Sequence, residues 1–309
     1  MPEPVRTSPH FPIDSGWLCC YGPGAKLPQL LIQVARWRTV ELIALLWGLG
    51  ACAPTLRGDP EASEKRFLLG ADYFAKGALR PALQELLQSV ELNPKNAEAR
   101  NLLGIVFLRQ AADNEERIVR ASCLPPEEAR LEKTEIDAKF RSAREQFRLA
   151  TKLRPSYAEA WNNLAVVELH FQRWDEAIMA TMRALSNLAY PEAWAAQGNL
   201  GWAYFHKGDL LRAAKELRTA VYTNPRFCVG RYRLAKVYYQ QRNFEGAQME
   251  LEKVTADAAC PIQEAFHLTA LLELRRKDES GKTRATQALN RCIELAPQSC
   301  LAKECRIAH

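Results

Sequence analysis

Small and large apolar residues recur along this chain at a long and regular interval. The pattern Leu-Gly-x-x-aromatic occupies residues 69–73 and returns at 103–107, which is 34 positions later. Two apolar residues, Ala82 and Leu86, and a proline, Pro94, follow the first copy at offsets that fit a second helix and its end. A repeat of this length, rich in helix-forming residues, predicts a pair of antiparallel helices.

Further copies follow, and together they predict about six helical hairpins. Small residues at Ala165, Gly201 and Ala235 mark later first helices, and Gly201 and Ala235 are again 34 positions apart. The last hairpin, at about 262–297, follows the pattern more loosely. A single hairpin cannot bury its apolar face, so neighbouring hairpins must stack. The predicted fold is therefore all-α, a right-handed superhelix of about six tetratricopeptide hairpins.

The second hairpin is interrupted by an insert at about 113–139. Its first helix is predicted to end near Ala111, while the small and aromatic residues of its second helix, such as Ala143 and Phe147, arrive late. Residues 127–150 have the pattern of one long helix. An insert of this kind forms a loop or an extended hairpin on one face. It is either a tolerated addition or an extra contact surface.

An apolar segment precedes the repeats. Residues 42–51 form a ten-residue apolar run, preceded by Arg36 and Arg38 and followed by Cys52. The run is too short to span a bilayer as a helix and has the size of the apolar core of a secretory signal. Residues 49–52, Leu-Gly-Ala-Cys, resemble a bacterial lipobox, which implies cleavage before Cys52 and a diacylglycerol on its thiol. The other interpretation is a buried helix that ends in a free cysteine.

The stretch before the basic pair is long for a signal. Either the start codon lies near Val34, so that residues 1–33 are not part of the protein, or the leader is unusually long. We expect a leader with a lipoprotein signal segment at 1–51, a lipid-anchored linker at 52–62, a repeat domain at 63–300 and a C-terminal tail at 301–309.

Composition and missing motifs exclude several function classes. The chain is 48% hydrophobic and 25% charged, and its net charge of +6 includes no run of five or six basic residues, which argues against nucleic acid as a partner. The five histidines have no metal-ligand spacing. The segment 281–283, Gly-Lys-Thr, lacks the earlier glycine of a phosphate loop. We therefore expect no enzyme activity, no catalytic residues, no metal, no cofactor and no small-molecule substrate.

The first helices of such hairpins line the concave face of the superhelix. A groove for a carboxylate terminus would contain Lys, Arg and Asn, and only Lys236 and Arg109 approach this. Exposed apolar patches mark partner surfaces, and aromatic anchors dominate binding energy, although aromatic residues here could also serve packing between helices. We predict a groove for a protein partner that is lined by Phe67, Phe74, Asn101, Ile105, Leu108, Asn162, Val166, Leu169, Trp202, Phe205, Tyr232 and Tyr239.

The cysteines bear on the compartment. Six cysteines follow Cys52, and an exported chain in an oxidising compartment could pair them. The alternative is buried free thiols, because connectivity cannot be derived from sequence. We expect at least one disulfide between positions 228 and 305, and the candidates are Cys228, Cys260, Cys292 and Cys300.

Taken together, these features resemble the type IV pilus pilotin family, which includes the tetratricopeptide lipoproteins PilF, PilW and Tgl. The resemblance rests on the lipobox at Cys52, the six-hairpin count, the Tyr-Pro-Glu link within 187–193 and the fifth repeat at 232–247. Family members bind secretin subunits and promote their assembly into the ring through which the pilus passes. Ala53, where some lipoproteins have Asp, implies the periplasmic face of the outer membrane by the lipoprotein sorting rule.

The resemblance implies a non-enzymatic, pilotin-like lipoprotein that binds an outer-membrane secretin and serves type IV pilus biogenesis and motility. Two other functions stay open. One is a general envelope scaffold lipoprotein that binds a different protein partner. The other is an accessory domain of a cytoplasmic enzyme complex.

Overall fold

A computed structural model of the protein describes residues 58–120 and 123–308, with the side chains of 116–120 left out. The lipobox and Cys52 lie outside the described residues. Within them the chain forms thirteen α-helices and no strand. None of these helices combines the length and the apolar character that crossing a bilayer requires.

The helices follow one another as six antiparallel hairpins and a final short helix. Each odd-numbered helix from α1 to α11 is the first helix of a hairpin, and the next helix is its second. Their bounds are α1 Pro60–Ala75, α2 Leu79–Leu92, α3 Ala97–Arg120, α4 Pro126–Leu153, α5 Ala158–His170, α6 Trp174–Leu185, α7 Ala193–His206, α8 Leu210–Thr223, α9 Cys228–Gln240, α10 Phe244–Thr255, α11 Gln263–Leu274, α12 Glu279–Leu295 and α13 Cys300–Ile307.

The predicted all-α fold of stacked tetratricopeptide hairpins is confirmed. Helices pack chiefly against their neighbours in the chain, first within a hairpin and then between consecutive hairpins. The buried residues accordingly form a row of local clusters along the array instead of one central core. This arrangement places the first helices side by side on one surface of the superhelix.

Glycine allows the two helices of a hairpin to approach closely. A Cβ atom added to Gly201 would lie 2.7 Å from Cγ of Leu217 and 3.0 Å from the carbonyl oxygen of Ala213. At the same position in the second hairpin, a Cβ on Gly104 would lie 2.5 Å from the ring of Phe147. Both distances are too short for any side chain, which explains the small-residue period in the sequence.

The second hairpin is longer than the others because both of its helices extend further towards the turn that joins them. The prediction that its first helix ends near Ala111 is wrong, since α3 continues to Arg120 and α4 begins at Pro126. Ile136 and Phe140 of α4 are buried and pack with Ala111. The insert is therefore an extended hairpin, because no glycine or proline stops α3 and the added turns of α4 bury apolar side chains.

A disulfide ties the tip of this extended hairpin to the far end of the array. Cys123 is bonded to Cys300, the first residue of α13, across a sequence separation of 177 residues. The backbone N–H of Cys123 also donates to the carbonyl oxygen of Gln298 at 2.9 Å. The disulfide therefore closes a covalent ring that contains α4 and hairpins three to six.

Two further disulfides lie in the last hairpins. Cys228, at the start of α9, is bonded to Cys260, just before α11, so the bond joins hairpins five and six. Cys292 of α12 is bonded to Cys305 of α13. The segment 301–309, expected to be a tail, thus contains most of a helix that is tied to the sixth hairpin.

Loop length predicts how much each bond stabilises the fold. In the chain-entropy description, the 177-residue loop closed by Cys123–Cys300 contributes roughly 5 kcal/mol, and the 13-residue loop closed by Cys292–Cys305 contributes about 3 kcal/mol. We expect urea denaturation to show a larger decrease in the free energy of unfolding for Cys123→Ala/Cys300→Ala than for Cys292→Ala/Cys305→Ala. The reverse order would show that the long link is not closed in the protein.

Candidate partner-binding face

The twelve residues predicted to line the groove all lie on the first helices α1, α3, α5, α7 and α9. Asn101, Asn162 and Phe205 are buried, and the other nine are partly buried. Most of these side chains therefore pack against the core on one side and keep an exposed edge on the other. We call the surface formed by α3, α5, α7, α9 and α11 on this side the inner face.

A chain of polar side chains links the first helices along the inner face. Nδ2 of Asn163 in α5 donates to Oδ1 of Asn101 in α3 at 3.1 Å. Nδ2 of Asn199 in α7 donates to Oδ1 of Asn162 at 3.0 Å. Nη1 of Arg233 in α9 then donates to Oδ1 of Asn199 at 3.3 Å. Four consecutive first helices are thus joined by side-chain hydrogen bonds, which holds their spacing.

An aromatic cluster lies beside this polar chain. The rings of Trp202 and Phe205 are stacked, with centroids 4.8 Å apart and an angle of 4° between the planes. His206 stacks on Trp174 of α6 at 4.3 Å and meets Trp202 edge-on at 4.6 Å. His206, although exposed to solvent, is therefore also the link between two tryptophans. Phe205 is buried beneath this cluster, so the partly exposed Trp202 is the ring of the stacked pair that offers apolar surface to the inner face.

Two cations border the aromatic cluster. Cζ of Arg233 lies 5.1 Å from the centroid of the Trp202 ring, and Nζ of Lys236 lies 5.7 Å from the same centroid. Among the described residues neither side chain forms an ion pair. Burial lowers the pKa of Arg233 to about 10. The pKa of His206 is also lowered, first by partial burial and then by the charges of Lys236 and Arg233.

The inner face is therefore more polar and more basic than the sequence indicated. Of the two cations singled out from sequence, Lys236 lies on this face, whereas Arg109 forms an ion pair with Asp113 at 3.2 Å. The prediction overlooked Asn199 and Arg233. The available signal was their separation of 34 positions, which places them at the same site in successive repeats.

A pocket continues the inner face towards the C-terminal end. It has a volume of about 420 Å³ and lies between α9 and α11, with Leu301 of α13 at one side. Burial, and next the charge of Glu264, raises the pKa of Tyr232 to about 12. Its wall is mostly apolar and aromatic, and is formed by Tyr232, Lys236, Tyr239, Gln240, Glu264, His267, Leu268, Leu271 and Leu301.

A second, more polar pocket of about 580 Å³ lies at the Tyr-Pro-Glu link between hairpins three and four. Tyr190, Pro191 and Glu192 form one wall, and Tyr157 and Glu159 form another. The hydroxyl of Tyr190 is buried without a hydrogen-bond partner among the described residues. The link predicted from sequence is thus a concave feature that adjoins the N-terminus of α5.

Of the four cysteines predicted as disulfide candidates, two are bonded to each other and two are bonded to other cysteines. Cys228 and Cys260 are bonded to each other. Cys292 and Cys300 are bonded to other partners, Cys305 and Cys123, which were not among the candidates. Sequence reasoning missed Cys123 because it lies in the insert, far along the chain from the last repeat.

Comparison with known proteins identifies the repeats. A tetratricopeptide repeat model matches residues 138–187 and 183–226, and a TPR repeat model matches residues 70–110. No curated protein sequence matches the chain.

Solved structures share the fold. PilF from Pseudomonas aeruginosa is 18% identical, with a TM-score of 0.61 over 81% of this chain and 98% of PilF. PilW, described as a widely conserved type IV pilus biogenesis factor, is 17% identical, with a TM-score of 0.61 over 78% of this chain and 97% of PilW. The Cut9–Hcn1 hetero-tetramer of the APC/C contains a chain that is 14% identical, with a TM-score of 0.62 over 81% of this chain and 43% of that one. At these identities the similarity concerns the fold alone.

The location of the two cations predicts how His206 titrates. A nearby positive charge disfavours the protonated imidazole, so removing one must raise the pKa. We expect NMR titration to give His206 a pKa below the ordinary value of about 6.5, and Lys236→Gln to raise it. Arg218→Gln, at an exposed position on α8, is the matched control and should leave it unchanged. A His206 pKa that does not respond to Lys236→Gln would contradict the geometry.

These observations together describe a chain of tetratricopeptide repeats, folded in the way that PilF and PilW are folded, whose inner face combines an asparagine chain, an aromatic cluster and the cations Arg233 and Lys236.

Proposed function

We propose that this protein is a non-enzymatic, pilotin-like lipoprotein that binds secretin subunits and promotes their assembly in the outer membrane for type IV pilus biogenesis and motility. The main support is the length of the structural match, since 98% of PilF and 97% of PilW align with this chain. PilW is itself described as a type IV pilus biogenesis factor. A continuous inner face across hairpins two to six offers the extended surface that such a role requires.

The inner face is suited to holding a protein segment and not to catalysis. Its aromatic cluster and the pocket between α9 and α11 offer apolar surface in a concave setting. Burial of a few aromatic anchors at such a surface contributes about 2 kcal/mol or more each. We take the bound segment to be an apolar or amphipathic part of an unassembled secretin subunit. Capture of one such segment at the inner face would keep it from aggregating.

A lipid on Cys52 would hold this face near the membrane. Cys52 precedes the first residue of α1, Pro60, by eight positions in the sequence. Each buried CH₂ of an acyl chain contributes about 0.8 kcal/mol, and several chains together give a stable anchor. The repeats would then be confined to the periplasmic side of the outer membrane, where secretin subunits arrive.

Metabolic labelling tests the anchor. Cells expressing the full chain and fed radioactive palmitate should yield a labelled protein that remains with the outer-membrane fraction. Cys52→Ala should lose the label and enter the soluble fraction, whereas Cys123→Ala should keep both properties because its partner is another cysteine. Labelling that persists in Cys52→Ala would refute the lipobox assignment.

Secretin assembly tests the function. Deleting the gene should remove heat-resistant secretin multimers from outer-membrane fractions while secretin monomer persists. The variant Trp202→Ala/Tyr239→Ala should fail to restore them, because both side chains are only partly buried and line the inner face. Tyr222→Ala, at a side chain that is 89% exposed on the second helix α8, should restore them fully.

Two results of this secretin experiment would contradict the proposed function. Multimers that are unchanged by the deletion would exclude a pilotin role and favour a general envelope scaffold that binds another protein. Rescue by Trp202→Ala/Tyr239→Ala would move the binding surface away from the inner face.

A further inference from the structure

Neither cation on the inner face forms an ion pair with another described residue, in contrast to two other part-buried arginines. Arg144 pairs with the buried Glu168 at 2.8 Å, and Arg231 pairs with Glu250 at 2.7 Å. Within the described part of the chain, Arg233, two positions from Arg231, instead donates only to the neutral amide oxygen of Asn199. A charge withdrawn from water without a partner is costly, so its retention on a partner surface indicates a counter-charge that arrives with a ligand.

The geometry around these cations is that of a prepared site. Arg233 and Lys236 are separated by three positions on α9, so both project from one side of the helix. The Trp202 ring lies within 5.1 Å of one and 5.7 Å of the other. The hydrogen bond to Asn199 further restrains the guanidinium group. A ligand group that bound here would meet two positive charges whose positions are already limited.

An acidic group in the adjoining pocket limits the charge of the ligand. Glu264 lies in the pocket together with Lys236, and it forms no ion pair with either cation. Its carboxylate would repel an acidic run that extended into the pocket. The site is therefore suited to one carboxylate followed by uncharged residues.

The surroundings indicate where that carboxylate lies in the ligand. On one side of the cations lies the partly exposed ring of Trp202, which is apolar and stacks on the buried Phe205. On the other side lies the 420 Å³ pocket, whose apolar residues, such as Tyr239 and Leu268, stand beside Gln240, Glu264 and His267. Apolar surface thus continues in both directions, so the acidic group is an internal side chain and not a chain terminus.

We propose that Arg233 and Lys236 bind the side chain of a single Asp or Glu within an otherwise apolar segment of a partner protein, whose flanking residues occupy the aromatic cluster and the adjoining pocket. This inference rests on the proposed role of the inner face in partner binding. It adds the chemistry of the segment that is recognised.

Binding of matched synthetic peptides tests this site. The probes are fluorescein-labelled, C-terminally amidated nonapeptides with varied Leu, Val and Phe flanks and a central Glu, each paired with its Gln counterpart. Fluorescence anisotropy on the full chain should show that the Glu peptides bind at least about tenfold more tightly, because an ion pair shielded from water is lost in the Gln peptides. NMR should show a rise in the pKa of His206 in the Glu complex only, since the bound carboxylate favours the imidazolium.

Variants locate the preference. Arg233→Gln/Lys236→Gln should bind Glu and Gln peptides equally, with the affinity for the Gln peptides unchanged. Arg233→Lys retains the charge and should keep most of the preference for Glu peptides over Gln peptides. A loss of preference in the double variant alone would then be due to the lost charge and not to a failure to fold. Arg218→Gln on the exposed surface of α8 is the charge-matched control and should behave as the parent protein.

Three results would overturn the proposal in distinguishable ways. Equal binding of Glu and Gln peptides by the parent protein would remove the acidic site while leaving the inner face as the binding surface. A Glu preference that persists in Arg233→Gln/Lys236→Gln would place it elsewhere. Absence of binding by every peptide, together with intact secretin assembly by Trp202→Ala/Tyr239→Ala, would remove both this site and the inner-face role.

Discussion

The two helices of each hairpin can lie against one another only because a residue with little or no side chain faces a large one. Gly104 opposite Phe147 and Gly201 opposite Leu217 leave no room for even a methyl group. This contact fixes how far apart the helices lie and how they are rotated about their axes. Its repetition gives the hairpins a similar packing geometry near this contact, so that stacking generates one continuous surface from the first helices.

The repeat also aligns chemistry that is distant in sequence. Positions one period apart occupy equivalent places on neighbouring first helices, as Asn199 and Arg233 do. Polar side chains at these places can satisfy each other across the gap between hairpins, and the bonds from Asn101 to Asn199 do so. Arg233 ends this chain with a charge that its neutral partner does not balance. The same row of side chains therefore joins neighbouring hairpins by hydrogen bonds and carries the charge that is proposed to bind a ligand.

Much of the fold could be predicted from the sequence because the repeat constraint is local. The small-residue period gave the number of hairpins and the helices that face inward. The extension of α3 was missed because charged residues after Ala111 resemble a loop, although they also form an exposed helical surface once α4 covers the apolar side. The bond from Cys123 to Cys300 was missed because nothing in the period encodes a contact across 177 residues.

The site was predictable only in outline. The positions of the small residues predicted that aromatic side chains such as Trp202 lie on the first helices. In the structure Trp202 does lie on a first helix, α7. That Arg233 pairs with no carboxylate of the described residues depends on which neighbours pair with one another, and this is a property of three-dimensional packing. The lipid anchor at Cys52 lies outside the described residues and stays a prediction.

Site-specific photo-crosslinking to a purified secretin subunit tests most directly whether the inner face binds the partner. p-Benzoylphenylalanine would replace Tyr239 on the inner face in one protein and Tyr222, on the exposed side of α8, in another. Crosslinking from position 239 and not from position 222 is the predicted result. Crosslinking from position 222 alone would show that the partner binds the opposite surface and would contradict the proposed role of the inner face.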